Sequence, residues 1–133
     1  LGGTSGAADA DASIARTAAG MVTLITNVTV QGSITTGTQT KTGNYTLLTG
    51  DGGTTFADAT GGAVTITLPA ASSSTIGRQY LVFKVDSSGN SVNIAPNGSD
   101  TLLAGSTTNT TAQANCLRVM GYTATSWIVN KTQ

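Results

Sequence analysis

TGNYTLLTGDGGTTFADATGGAVTITLPAA, residues 42–71, alternates apolar and hydroxyl side chains, breaks at paired glycines and stops at a proline. Val64, Ile66 and Leu68 alternate with Thr65 and Thr67. Successive side chains on a strand point to opposite faces, so this spacing gives one segment an apolar face and a hydroxyl face. Pro69 ends the strand because its nitrogen has no hydrogen to donate to a ladder. Upstream, Tyr45 and Leu47 alternate in the same way, Asp51-Gly52-Gly53 signals a turn, and Phe56 opens another short run. The stretch reads as short strands joined by turns.

The pattern continues towards the carboxy terminus. RQYLVFKV, residues 78–85, is the most apolar segment and is expected to be a central strand. DSSGN, 86–90, is expected to be a hairpin turn, with Asp and Gly supplying its geometry. SVNIAP, an NGSD turn at 97–100 and TLLAG follow. ANCLRVMGY and SWIVN form a closing hairpin joined near Thr123–Thr125. Short strands at regular spacing, separated by turn signals, predict an all-β sandwich or barrel over residues 41–133. No fixed period of 20 to 50 residues is visible, so a solenoid is not expected.

Residues 1–40 differ in character. Ala7–Ala19 predicts a short helix, with Ser5 or Asp9 at its start and Gly20 after its end. Val28, Val30 and Ile34 then point one way on short strands. Nine large apolar residues are too few for an independent core, so this region is expected to be a stem or packing segment. The chain starts at Leu1 rather than Met, which suggests a piece of something longer, and no basic-then-apolar leader opens it.

Composition narrows the chemistry. The 133 residues include 26 Thr and 17 Gly, six acidic residues that are all Asp, and no His. Thr, Val and Ile favour pleated sheet, because the branched side chain packs well there. Net charge is zero and the six basic residues are scattered, which argues against a nucleic-acid partner. No apolar run approaches the ~18 residues of a membrane span. One cysteine, Cys116, makes neither an intrachain disulfide nor a Cys-rich metal site, and reads as a small buried residue. No metal or cofactor is expected. Acid–base catalysis needs a paired acid and base, and Asp51, Asp86 and Asp100 each sit in a turn signal that their side chains explain. Neither Gly52-Gly53 nor Gly61-Gly62 has the Lys spacing of a phosphate loop. No catalysis is expected.

A lone domain of this size buries only ~60–65% of its unfolded surface, so association with identical copies is expected to supply further burial. Three polar segments read as exposed tips: Ser87–Asn90, Asn97–Asp100 and Thr107–Thr111. Loops on a rigid scaffold commonly carry binding, which makes Asn90, Asn97, Ser99, Asp100 and Asn109 candidate contacts. Tyr122, after Gly121, is the candidate exposed ring, while Trp127 belongs in the core.

YTLLTGDGGTTFADATGGAVTITLPAA, then IGRQYLVFKVDSSGNSVNIAPNGSDTL, then SWIVN, resembles the carboxy-terminal β-sandwich heads of bacteriophage fibre proteins. The opening LGGTSGAADADASIARTAAG is similar to the Gly-Gly-Thr plus ARTNLG-type segment ahead of such heads, although Asn-Leu-Gly is missing after Arg16-Thr17. The resemblance covers most of the chain. It implies a homotrimer with a small antiparallel, jelly-roll-like β-sandwich head, preceded by a short helix and an intertwined β stem. It also implies a place on the virion beside other virion structural proteins, and attachment to a host surface glycan or protein. A purely structural head fibre, decoration or connecting segment is the second reading. A monomeric bacterial adhesin or carbohydrate-binding module is the third. A depolymerase would need a pair of carboxylates in a groove.

Overall fold

The computed structural model describes residues 31–33 and 35–132. The helix expected over 7–19 and the strand residues Val28, Val30 and Ile34 lie outside the described residues. One compact unit comprises Thr35–Gln133, and its first strand, β1 (Thr38–Lys41), lies across the expected boundary between 40 and 41.

Ten strands follow in order: β1, β2 (Tyr45–Thr46), β3 (Thr54–Ala57), β4 (Val64–Thr67), β5 (Gln79–Lys84), β6 (Val92–Ala95), β7 (Thr101–Leu102), β8 (Asn109–Thr110), β9 (Cys116–Thr123) and β10 (Ser126–Thr132). A single 3-10 turn, η1 (Ser73–Thr75), is the one helical element among the described residues. The strands form two sheets, one ordered β1-β3-β5-β9-β10-β7 and the other β2-β4-β6-β8. The all-β expectation holds, and β5 is an interior strand as its apolar run requires.

The antiparallel, jelly-roll-like expectation is corrected. Five of the eight strand pairings are parallel: β1 with β3, β3 with β5, β2 with β4, β4 with β6, and β7 with β10. From β1 to β6 the chain alternates between the sheets, laying each strand parallel to the one two before it. This is a solenoid-like winding, contrary to the expectation from sequence, and it has no fixed period because the coils differ in length. Paired positions are 16 residues apart at Thr38 and Thr54 but 27 apart at Thr54 and Leu81. They are 21 apart at Tyr45 and Ile66, and 28 apart at Val64 and Val92. For the same reason 86–90 is no hairpin: it carries the chain from β5 in one sheet to β6 in the other. The winding ends with the β9–β10 hairpin, which is antiparallel with Thr123 opposite Ser126, as expected. A register shift between Ser126 and Trp127 adds a bulge there.

The alternation read in residues 64–68 decides which side chains meet. Val64 lies on Val92 and Ile66 on Ile94, all buried, with Thr65 and Thr67 on the opposite face. Tyr80 and Val82 of β5, Leu117 and Val119 of β9, and Trp127 and Val129 of β10 close the core from the other sheet. Each fully buried Val, Leu or Ile contributes roughly 1.5–3 kcal/mol. Trp127 is fully buried, its ring centroid 6.0 Å from that of Tyr80, and Cys116 is also buried. Both match their expected places.

Candidate functional site: the two ends of the sandwich

Strands of a two-sheet frame deliver their loops to two ends, and the ends here differ in chemistry. At one, β5 ends on Lys84, an inward-facing residue with no exposed surface. A buried ammonium needs a counter-charge and hydrogen-bond acceptors. Lys84 Nζ donates to Asp86 Oδ1 at 2.6 Å, to the Asp86 carbonyl at 3.2 Å and to Ser88 Oγ at 3.3 Å. Asp86 Oδ2 accepts from Ala59 N at 2.7 Å, Oδ1 accepts from Ser88 N at 2.9 Å, and Ser88 Oγ also lies against Oδ1. The Lys84 ammonium, and after it the Ser88 hydroxyl, hold the Asp86 carboxyl well below the usual carboxylate range. A carboxylate so fully engaged is a fixed counter-ion rather than a proton acceptor.

Asn90 belongs to this network. Its Nδ2 donates to the Ala59 carbonyl at 2.8 Å and its N to Ser88 Oγ at 3.3 Å. This side chain, expected to make a receptor contact, therefore pins the 86–90 crossover to the loop after β3.

The opposite end gathers the loops after β2, β4, β6 and β9. Gly121 faces η1 so closely that an added Cβ would lie 1.9 Å from the Thr75 carbonyl oxygen. Backbone bonds from Gly77 N to Gly121 O and from Gly121 N to Arg78 O, both 2.9 Å, lock this contact. Arg78 Nη1 donates to the Thr49 carbonyl and so ties the loop after β2 to the segment after η1. Asp51 Oδ2 accepts from Leu48 N at 2.8 Å and from Tyr45 Oη at 3.0 Å; the second bond pushes the Tyr45 phenol above its ordinary value. Lys41 Nζ stands 3.4 Å from the Tyr45 ring centroid.

Asn97, Ser99 and Asp100 come together in one turn at this end. Asn97 Nδ2 donates to the Leu68 carbonyl at 3.3 Å, and Asp100 Oδ2 accepts from Ala71 N at 2.6 Å. Both side chains hold the turn onto the loop after β4. Ser99, next to Gly98 at φ +52°, is exposed. Thr101 N donates to Thr125 O at 3.0 Å, which sets this turn beside the β9–β10 turn. Tyr122 is half exposed at 50%. Two residues missed in the sequence share this end: Leu48, 60% exposed, and Ile76, 53% exposed. Their only sequence signal is an apolar side chain inside a turn-rich segment.

Asn109 stands apart. The 107–111 segment is not a free tip, because Ile94 N donates to Thr108 O and Thr107 N to Val129 O, at 2.8 and 2.9 Å. Asn109 lies on β8, opposite Asn93 at the edge of the four-stranded sheet, with its side chain exposed. Among the described residues, no three His, Cys, Asp or Glu side chains cluster in a way that would hold a metal ion.

No protein-family model matches the chain, and a comparison with curated proteins finds no match.

Proposed function

We propose that this chain is the adhesive head of a virion fibre, working as three identical copies and attaching to a host-surface glycan or protein without catalysis. The observation that carries the reading is the loop end. There, exposed Leu48 and Ile76 on short loops and exposed Tyr122 near the end of β9 stand beside the exposed Ser99, with the loops held by Arg78, Asp51, Asn97 and Asp100. Apolar and hydroxyl groups on a pre-ordered surface suit recognition, because little ordering entropy is lost on contact. Three such ends on one assembly raise avidity well above any single contact. The carboxylates Asp51, Asp86 and Asp100 accept hydrogen bonds from the frame, which suits adhesion better than acid–base chemistry.

The test is attachment of the labelled whole chain to a panel of bacterial cells and to polysaccharide purified from their surfaces. Tyr122→Ala combined with Ser99→Ala is expected to abolish binding with folding unchanged. Binding to any cell that survives both changes would overturn the assignment to this end. The outer face of the four-stranded sheet, with Thr46, Thr65, Thr67 and Asn93 in register, favours a second reading as a purely structural fibre segment. That reading requires that no cell in the panel is bound.

A further inference from the structure

The two outer faces of the frame are unlike. On the four-stranded sheet, the outward side chains include Thr46, Thr65, Thr67, Asn93 and Asn109. On the six-stranded sheet, alternation with core residues turns Phe56, Leu81, Phe83, Met120 and Ile128 outward. Phe56 lies opposite Phe83 with ring centroids 6.1 Å apart, and Met120 lies opposite Ile128. Val85, 40% exposed, extends the face past β5. Beside Val85 is a groove of about 360 Å³ floored by the two Phe rings and walled by Gln113 and Ala114. Ala114 has φ +65°, an unusual conformation for a residue with a Cβ, and is held there by its N–H bond to Lys84 O at 2.8 Å. Contiguous apolar surface of this kind marks a contact rather than a solvated face.

We infer that the outer face of the six-stranded sheet is the contact between copies of this chain, with Asp58 of one copy set against Arg118 of the next. Charge placement selects a second copy as the occupant. Asp58 continues β3 through its N–H bond to Lys41 O and alternates to the Phe56 side; one carboxylate oxygen accepts from Thr60 N. Arg118 lies opposite Leu81 on β9, exposed, with its guanidinium steadied by Gln79 Oε1 at 3.1 and 3.3 Å. Two inter-strand spacings, with β5 between, and four residues along the strand separate the pair, roughly 16 Å from the spacings of a sheet, so they do not meet within one chain. The face thus bears one charge of each sign, on opposite sides of an apolar centre, in a chain whose net charge is zero. Between copies, the β3 side of one meets the β9–β10 side of the next, which pairs the charges and covers Phe56, Phe83, Met120 and Ile128. A contact between two different surfaces closes into a ring when the rotation allows. The inference deepens the three-copy reading above, on which the number of copies rests.

Sedimentation velocity on the whole chain tests it, with Asp58→Arg, Arg118→Asp and the double reversal. Each single reversal is expected to weaken association by about tenfold or more, since like charges then face each other, and the double reversal to recover most of the loss. Single reversals without effect, a double reversal no better than the singles, or a wild-type chain that stays monomeric because its own residues 1–34 cover the face would each overturn the inference. If either reversal fails to fold, Met120→Asp reads the same face independently and must separate the copies; an intact assembly overturns the inference. The two readings fail differently. Charge-swap rescue in an assembly of another copy number keeps this face and removes the three-copy reading. A three-copy assembly indifferent to both charges does the reverse.

Discussion

Lys84 Nζ lies 2.6 Å from Asp86 Oδ1, and the lysine has no exposed surface. The pair is two residues apart in sequence but joins three segments, because Asp86 also takes the Ala59 N–H and the Ser88 N–H. It fixes where the chain leaves the six-stranded sheet and enters the other.

Asp86→Ala is therefore expected to destabilise the frame more than any outer-face change. It leaves the ammonium buried without a counter-charge, a class of change that lowers Tm by ~10 °C or more in a domain of this size. Lys84→Met keeps the Asp86 bonds to Ala59 and Ser88 and is expected to cost less. Thermal melts of the two variants check the order; a larger loss for Lys84→Met would show that the ammonium, not the carboxylate, organises the crossover.

Acid stability follows from the same carboxylate. Its folded value is depressed by Lys84 and Ser88, so its contribution is complete above the unfolded value of about 4 and is lost as pH falls through the folded value. Asp58, lowered by its bonds to Thr60, adds in the same direction. The urea midpoint is expected to be flat from neutral pH to about 5 and to fall below about 4. Asp86→Asn should start lower and decline less steeply; an unchanged acid slope would place the titrating group elsewhere.

Gly121→Ala tests the packing that shapes the loop end. The new Cβ would overlap the Thr75 carbonyl, so η1 must move, at a cost of about 1–3 kcal/mol by chemical denaturation. Because Ile76 and Arg78 follow η1, the same variant should weaken any attachment that Tyr122→Ala weakens. Full stability would mean that η1 is free to shift.

Tyr80→Phe is expected to be neutral or stabilising. Tyr80 Oη is buried and has no hydrogen-bond partner among the described residues, so the variant removes a polar group that gains nothing from burial. A loss of more than ~1 kcal/mol in the denaturation free energy would reveal a partner for the hydroxyl.

Local pattern made part of this fold legible. The Val64–Leu68 alternation, the apolar run of β5, the β9–β10 hairpin and the burial of Trp127 all rest on near neighbours in sequence, and all are present. The parallel winding rests on partners 16 to 28 residues away at uneven spacing, which no periodicity search detects. Asp-Ser-Ser-Gly-Asn at 86–90 has hairpin composition, yet the ties of Asp86 and Asn90 to Ala59 carry the chain across to the other sheet. At the candidate site, the exposed Ser99 and Tyr122 were legible from turn composition. The structural duties of Asn90, Asn97 and Asp100 were not, because their partners Ala59, Leu68 and Ala71 lie about 30 residues away. Leu48 and Ile76, from separate coils, are delivered to the same end only through the winding.

The central claim is that this frame works as one of three identical copies. Native mass spectrometry of the whole chain, followed down through dilution, measures it directly. The expected species has three times the single-chain mass and persists at low concentration. A folded single copy at every concentration would contradict it.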